Sequence, residues 1–120
     1  MTTASGHTSA IRAGKVIGTS VKDRNGNSIG KIEDIVLDKA SNNIMFAVVS
    51  FGGFLGIAEK YHPLPWSSLD YRVDQGAYSV EYTREQLEAA PADSMEALTK
   101  DDGTRYRDQA YDYYKEARYW

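Results

Sequence analysis

The segment 51–60, FGGFLGIAEK, constrains the fold of this chain more than any other feature. Three glycines interrupt apolar residues directly after a stretch that is rich in strand-forming residues. Since glycine accepts positive φ and close backbone approach, the segment predicts a sharply shaped turn. A solvated turn is normally polar, so the side chains of Phe54, Leu55 and Ile57 need cover. Either the domain itself or a binding partner provides that cover.

Composition excludes several classes of protein. The chain has 120 residues, no cysteine and a formal net charge of −3. This length suits one domain with a single hydrophobic core. Without cysteine there are no disulfides, thiolate nucleophiles or thiolate metal ligands, which fits the cytoplasm, where we expect the protein. The acidic balance argues against DNA as a partner, because nucleic-acid binders usually present a basic face.

The chain divides into three regions by composition. Residues 1–13 are rich in Thr, Ser and Gly and are interpreted as a flexible N-terminal arm, because they lack the apolar core of a secretory signal. Residues 14–82 predict a β domain, and residues 83–120 a helical and aromatic extension. No apolar stretch approaches the ~20 residues that a transmembrane helix needs.

Short apolar runs separated by turn residues predict a mainly β fold. Regular spacing of this kind is typical of a small closed or half-closed barrel. Residues 44–51 form the most apolar run and predict a central strand that is buried on both faces. Prolines confine the fourth strand to an edge of the sheet or to a strand end. The predicted strands are residues 15–21, 28–37, 44–51, 60–64, 69–73 and 77–82.

Local signals define the first hairpin. Asn25-Gly26 between two β-like runs predicts a type I′ turn, in which both residues have positive φ. The apolar alternation in residues 28–37 is imperfect, which predicts a bulged strand near Gly30. Residues 38–43 are a cluster of turn-forming residues.

The C-terminal extension predicts helices. Thr83 and Gln86 have the spacing of a capping box before a helix over residues 84–90, and Ser94 could cap a further turn that runs to about Thr99. The last fifteen residues hold five tyrosines and end in Trp120. An apolar series there has the spacing 4, 3, 4, 3 and predicts one face of a helix: Tyr106, Ala110, Tyr113, Ala117 and Trp120. This face packs on the chain's own barrel or forms an interface, since aromatic residues are enriched where proteins meet.

Two loops resemble ligand-binding motifs. Asp23, Asn25, Asn27 and Asp34 have the spacing of a calcium loop, but Ser28 stands where that loop needs glycine and the flanks predict strands. A plain hairpin is therefore favoured. The glycines of the segment 51–60 suggest a phosphate loop or a nucleotide-clamping GXXG loop, but no Lys-Ser/Thr follows and the central residues are apolar. A structural turn is favoured there too.

The sequence gives only weak support for a catalytic site. His7 lies in the N-terminal arm, and His62 could be grouped with Ser67 or Ser68 and Asp70, although spacing cannot supply the geometry of a triad. His62 and Asp70 are therefore interpreted as surface polar residues. We expect no catalytic site, no metal and no cofactor. Trp66 is interpreted as a core residue or a lid on the barrel.

Residues 15–82 resemble the PRC-barrel domain, with a match to its stand-alone bacterial branch. The matching motifs are Val16-Ile17-Gly18, the run NGNSIGKI at 25–32, DIVLD at 34–38, AVVSFGGFLG at 47–56, and Pro65-Trp66. Ala58 stands where that branch more often has glycine. The ending at 112–120, with Asp112-Tyr113-Tyr114 and Tyr119-Trp120, also looks like tails of that branch.

The resemblance implies a small six-stranded or similar β-barrel that serves as a binding or assembly module, with no catalytic residues. Its relatives are the cytoplasmic domain of the photosynthetic reaction-centre H subunit and the C-terminal domain of the ribosome maturation factor. The chain lacks the transmembrane helix of the first and the N-terminal domain of the second, so neither function transfers. Association with a membrane complex stays open.

We therefore expect a non-enzymatic protein-binding module that self-associates, most simply as a dimer. The alternative is a barrel that contacts a small molecule, RNA or the ribosome, for which Lys15, Lys22, Lys31 and Lys60 would have to gather on one side. The predicted partner-binding residues lie in the glycine-rich turn and in the tail: Phe54, Leu55, Ile57, Glu59, Lys60, Tyr113, Tyr114, Tyr119 and Trp120.

Overall fold

The computed structural model describes residues 10–52 and 60–120. Its strands are β1 (Ser20–Lys22), β2 (Ser28–Leu37), β3 (Ile44–Phe51), β4 (His62–Leu64), β5 (Asp70–Arg72) and β6 (Ala77–Ser79). Its helices are α1 (Ala13–Val16), α2 (Arg84–Glu88), α3 (Met95–Leu98) and α4 (Thr104–Tyr114). Short 3₁₀ turns lie at Trp66–Ser68 and Lys100–Gly103.

The six strands form one mixed sheet in the order β4-β3-β2-β1-β6-β5. Neighbouring strands are antiparallel except for β1 and β6, which run parallel. The six predicted strands are therefore confirmed, although several are shorter than predicted. Among the described residues no pairing joins β4 to β5, so the sheet is not closed and the predicted barrel is not confirmed.

The residues in and beside β4 explain why no further strand pairs with the sheet at this edge. Pro63 lies within β4 and Pro65 follows it, and neither residue has an N–H to donate to a further strand. Next to them, Tyr61 exchanges two backbone hydrogen bonds with Asp93, at 2.8 and 3.0 Å. Strand β4 thus lies at an edge of the sheet, which is one of the two positions that its prolines predict.

The sheet separates two clusters of apolar side chains. Strand β3 is buried along nearly its whole length, as its composition predicts. Ala47, Val49 and Phe51 belong to the main core, whereas Phe46 and Val48 belong to a second cluster that Leu98 of α3 completes. Successive side chains of a strand point to opposite faces, so this alternation places β3 between the two clusters.

The first hairpin differs from the predicted turn. Gly26 has a φ of 84°, but Asn25 does not have positive φ, so the type I′ turn is wrong. The Asp23 carboxylate accepts the N–H groups of Asn25 and Asn27 at 2.9 and 3.0 Å, and the Gly26 N–H bonds the Asp23 carbonyl. This Asx geometry selects a different turn. The bulge predicted near Gly30 is confirmed, because Val21 faces Gly30 while Lys22 faces Ser28.

The strand predicted over residues 15–21 is wrong in its first half. Residues Ala13–Val16 form the short helix α1, and Val16 inserts into the main core. Gly18 has a φ of 93°, which turns the backbone sharply between α1 and β1.

The predicted helix caps are confirmed. Thr83 and Gln86 form a complete capping box before α2, and the Ser94 hydroxyl accepts the Ala97 N–H before α3. Helix α2 ends at Glu88, short of the predicted residue 90.

The predicted aromatic face of the tail is only partly correct. Helix α4 ends at Tyr114, because Lys115 adopts a left-handed conformation with a φ of 55°. Ala117 and Trp120 therefore do not continue a helical face. The side chains that α4 buries are those of Ala110, Tyr111 and Tyr114.

Candidate protein-binding surface

The chain reverses direction after α4. At Lys115 the left-handed backbone lets the N–H groups of Lys115 and Glu116 bond the Tyr111 carbonyl, which ends the helix. The last residues then pass back beside α4, where Trp120 meets the first half of the helix at Arg107. The sequence does not decide whether the tail packs on its own chain or forms an interface. In the structure it packs on its own chain.

Four side chains form what we call the C-terminal aromatic cluster: Arg107, Tyr111, Tyr119 and Trp120. The ring of Trp120 lies 4.9 Å from that of Tyr111 and 5.1 Å from that of Tyr119, both edge-on. The Arg107 guanidinium lies 3.7 Å from the centroid of the Trp120 ring, in the geometry of a cation–π contact. The Arg118 guanidinium is 5.0 Å from the same centroid.

Asp38 anchors this cluster to the turn between β2 and β3. The Tyr119 hydroxyl donates to the Asp38 carboxylate at 2.7 Å, and Arg107 pairs with the same carboxylate at 3.9 Å. The hydrogen bond from Tyr119 is the largest of the effects that lower the pKa of Asp38, so this carboxyl stays ionised well into the acid range. The anchor joins residues that are 81 positions apart.

A second set of contacts holds the start of the tail. The Glu116 carboxylate accepts the Ser67 hydroxyl at 2.8 Å and the Tyr82 hydroxyl at 3.3 Å. Burial and the Glu116 carboxylate raise the pKa of Tyr82 to about 12. Together with the Asp38 anchor, these bonds fix both ends of residues 115–120 against the domain.

The predicted tail residues differ in exposure. Trp120 is 40% exposed and Tyr113 is 38% exposed, so both are available to a partner. The Tyr113 hydroxyl donates to the Gln86 carbonyl at 2.5 Å. Tyr119 is half-buried, and Tyr114 lies in the main core, where burial raises the pKa of its hydroxyl. The structure thus brings Tyr119 and Trp120 together and places Tyr114 apart from them.

The predicted residues of the glycine-rich turn lie mostly outside the described part of the chain. Phe54, Leu55, Ile57 and Glu59 all fall in residues 53–59, and Lys60, which follows them, is exposed. Their assignment stays a prediction from the sequence.

Trp66 has the role that its sequence context predicts. Its ring packs against the main core and lies 5.6 Å from the ring of Tyr78. The tail passes close by, because Ser67 bonds Glu116.

The interpretation of His62 as a surface residue is wrong, and the structure gives no support to a grouping with serine and Asp70. His62 is buried on β4 with its ring 4.8 Å from that of Phe51, and its Nδ1 atom has no partner among the described residues. The Ser67 hydroxyl donates to Glu116 and the Ser68 hydroxyl to the Pro65 carbonyl, so neither hydroxyl is bonded to the histidine. Asp70 is exposed on β5.

Asp23, the first residue of the pattern that resembles a calcium loop, has a role within the hairpin. Asp23 is buried and uses its carboxylate to bond the backbone of the hairpin, as described above. Across residues 10–52 and 60–120, no three His, Cys, Asp or Glu side chains are grouped closely enough to hold a metal ion. In the same residues no helix is long and apolar enough to cross a bilayer.

A groove of about 420 Å³ lies beside the aromatic cluster. Trp66, Tyr111 and Tyr119 contribute aromatic walls, and Asn42 and Asn43 contribute polar groups at its border. The tail residue Ala117 closes one side.

Sequence reasoning missed Asp38 and Arg107. Arg107 is four residues before Tyr111, so the helical period alone places both on one face. Nothing in the local sequence indicates that the turn at Asp38 meets the tail, because that contact depends on the whole fold.

The comparisons with known proteins agree with this fold. The family model of the PRC-barrel domain matches residues 9–87, well over half of the chain. The chain therefore belongs to the PRC-barrel domain family. A search of curated proteins found no match. The matched region contains all six strands and Asp38, whereas α4 and the aromatic cluster lie beyond it.

Proposed function

We propose that the chain is a non-enzymatic protein-binding and assembly module that self-associates and works in the cytoplasm. The observation that carries this proposal is the C-terminal aromatic cluster, in which a 40% exposed Trp120 is held in place by Arg107 and Tyr119. Membership of the PRC-barrel family supports it, because the resemblance in sequence implies a module of this kind.

The composition of the cluster supports a role in binding. Trp, Tyr and Arg are the residue types that most often dominate the energetics of protein interfaces. The Asp38 anchor already restricts Tyr119 and Arg107 before a partner arrives. A pre-organised surface loses less conformational entropy on binding than a flexible one.

The apolar turn completes the proposed surface on sequence grounds. Phe54, Leu55 and Ile57 are the side chains in need of cover, and Glu59 and Lys60 supply charges beside them. A second copy of the chain or another protein would provide that cover.

The non-enzymatic part of the proposal rests on how the polar side chains are used. The two serines near His62 are bonded to a carboxylate and a carbonyl, and the candidate calcium ligand Asp23 bonds backbone N–H groups. Burial lowers the pKa of His62 to about 4, so the ring is neutral at pH 7 but enclosed beside Phe51. These groups support the fold and do not converge on a reacting atom.

Self-association is tested by light scattering and sedimentation velocity over a wide range of protein concentration. We expect the mean mass to rise from the 13.4 kDa of one chain towards twice that value. A chain that stays monomeric at the highest concentration contradicts the self-associating part of the proposal.

Partner binding is tested by comparing variants in quantitative capture experiments from the native cell. Trp120→Ala and Phe54→Asp should each lose proteins that the unmodified chain captures, with the circular dichroism spectrum unchanged. Ile17→Ala is the matched control, because Ile17 is also an apolar side chain with 43% exposure but lies by β1, outside the cluster. If all three variants capture the same proteins, the cluster and the turn are not the binding surface.

A small-molecule-binding module is the second candidate, and the groove beside Trp66 and Tyr111 favours it. Aromatic walls with a few polar groups at the border are typical of small-ligand sites. A fragment screen followed by ¹H–¹⁵N NMR would detect such a ligand through shifts at Asn43 and Tyr111. The RNA-contacting variant has less support, since Lys31 lies 4.0 Å from the Glu33 carboxylate.

A further inference from the structure

The two edges of the open sheet differ sharply. At one edge, all three residues of β4 are buried, and the bridge between Tyr61 and Asp93 continues the pairing beside it. At the other edge, all three residues of β5 are exposed, and Tyr71 is 42% exposed. Within residues 10–52 and 60–120, β5 pairs with β6 alone. Strand β5 is therefore the edge on which a further strand can be added.

The backbone of β5 presents one residue to this open edge. The Arg72 carbonyl accepts the N–H groups of Gln75 and Gly76, so it points into the hairpin that leads to β6. Neighbouring residues of a strand direct their backbone groups to opposite sides. The N–H and C=O groups of Tyr71 therefore point outwards, where an antiparallel strand would bond both.

The charged side chains on either side of Tyr71 are complementary to those of a second copy of the same strand. Asp70 precedes Tyr71 and Arg72 follows it, and both charged side chains lie on the same face of β5. In an antiparallel pair of two such strands related by a two-fold axis at Tyr71, each Asp70 stands opposite an Arg72. Two ion pairs then flank a central Tyr71–Tyr71 pair, and no like charges face each other.

We propose that a second copy of this chain docks on the β5 edge by this two-fold strand pairing, which joins two six-stranded sheets into one. The proposal rests on the self-association proposed above and names the surface that carries it. Each dimer would then present two copies of the C-terminal aromatic cluster.

The existing contacts of β5 leave its side chains in suitable positions. The Tyr71 ring packs edge-on against Tyr78 at 5.1 Å, directly across the β5–β6 ladder. Arg72 donates from Nε to the Ser79 hydroxyl at 3.0 Å. That bond uses only the Nε atom, so the terminal nitrogens of the guanidinium can donate to the Asp70 carboxylate of the second copy. Three residues give a small interface, so we expect a weak dimer that dissociates on dilution.

Charge reversal tests the register. In Asp70→Arg, two arginines face each other at both ends of the pairing, and in Arg72→Asp two aspartates do so. Each variant should dimerise at least about tenfold more weakly, because two attractive cross-strand pairs become repulsive. The double variant Asp70→Arg/Arg72→Asp restores opposite charges and should recover the dimer.

Mixing the two single variants gives a sharper test. Asp70→Arg carries two arginines on β5 and Arg72→Asp carries two aspartates, so each is repelled by itself and attracted by the other. Sedimentation of the equimolar mixture should show heterodimers where either variant alone is monomeric. Together with a dimer of the unmodified chain, this result requires that position 70 of one copy faces position 72 of the other, because a parallel register would set Asp70 against Asp70 in the unmodified chain.

Two controls separate local effects from the interface. Ser79→Ala removes the bond to Arg72 while keeping all charges, and Asp74→Arg reverses a charge in the loop beyond the strand. Both should dimerise as the unmodified chain does. If the unmodified chain dimerises and the charge reversals leave it unchanged, the β5 edge is wrong while self-association stands. If the unmodified chain is monomeric throughout, both the edge pairing and the proposed self-association fail.

Discussion

At the scale of single residues, His62 is the buried titratable group with the clearest consequence for stability. It is 5% exposed, and its Nδ1 atom has no hydrogen-bond partner among the described residues. Burial lowers the pKa of His62 from 6.5 to about 4, with a further contribution from the positive charge of Lys60, although a bond to the Pro91 carbonyl opposes the shift. The folded protein therefore resists protonation of this ring.

This shift predicts a loss of stability on acidification. Between pH 6.5 and pH 4 the unfolded chain binds a proton at His62 that the folded chain does not, so the free energy of unfolding falls as the pH falls. The full difference amounts to at most roughly 3 kcal/mol. Urea denaturation at a series of pH values measures it, and His62→Gln should flatten the curve in this range. The contribution of Asp38, whose pKa is lowered below 3.8, is lost only under more acidic conditions. If the free energy of unfolding falls equally steeply with pH in His62→Gln and in the unmodified chain, His62 is not the cause of the loss of stability.

Gly30 is the residue at which β2 and β3 approach too closely for a side chain. A Cβ atom there would lie 2.0 Å from the Ser50 carbonyl oxygen and 2.9 Å from a ring carbon of Phe51. Gly30→Ala should therefore lower the free energy of unfolding by about 2 kcal/mol or more, because the backbone of β3 must shift. Gly14→Ala is the matched control, since nothing lies within 4 Å of its added Cβ and the residue is helical. Thermal or urea denaturation compares them, and equal stability of the two variants would show that β3 yields without cost.

At the scale of elements, the two short helices after the sheet depend on their caps. Helix α2 has five residues and α3 has four, so neither has enough internal hydrogen bonds to persist alone. The α2 capping box satisfies two backbone donors, because the Thr83 hydroxyl accepts the Gln86 N–H at 3.2 Å and the Gln86 side chain accepts the Thr83 N–H at 2.8 Å. At α3, the Ser94 hydroxyl accepts one N–H, that of Ala97.

The difference between these caps predicts a difference in stability. Thr83→Ala should cost about 1 kcal/mol, since the cap holds α2, whose Leu87 is fully buried in the main core. Ser94→Ala should cost less, because it removes one hydrogen bond, whereas Thr83→Ala removes both the bond that the Thr83 hydroxyl accepts and the bond that it donates to the Gln86 side chain. Both values come from urea denaturation at pH 7. A larger loss for Ser94→Ala would mean that the cap of α3, and not that of α2, limits the stability of the C-terminal extension.

Elements with strong local signals are the ones that the sequence predicts well. The capping box, the bulge at Gly30 and the buried strand β3 each follow from neighbouring residues. Errors arise where a side chain overrides the local pattern, as the Asp23 carboxylate does when it selects the turn at Asn25. They also arise where a residue reaches the core from another element than predicted, as Val16 does from a helix instead of a strand. The end of α4 is not predicted by the sequence, because the left-handed residue there is Lys115 and not the glycine that commonly follows a helix.

At the scale of the whole molecule, the candidate surface depends on long-range contacts that no local pattern reveals. The sequence identifies Tyr119 and Trp120 as interface candidates, but the anchor at Asp38 lies 81 residues before Tyr119. The open state of the sheet also depends on a long-range contact, because the prolines of β4 and the Tyr61–Asp93 bridge act together at that edge. The family match covers all six strands, whereas α4 and the tail lie beyond it.

Truncation separates the structural role of α4 from that of the tail. Deletion of residues 104–120 removes Ala110 and Tyr114 from the main core, and Tyr111 with its bond to the Met45 carbonyl. This variant should lose cooperative thermal unfolding, because a large cavity opens beside β3. Deletion of residues 115–120 keeps these side chains and removes the Glu116 and Tyr119 contacts, the Trp120 ring and the backbone bonds that end α4. Circular dichroism should show a folded protein that melts cooperatively at a lower temperature. If the shorter deletion also unfolds the chain, residues 115–120 belong to the core of the fold, and their assignment as a binding surface is wrong.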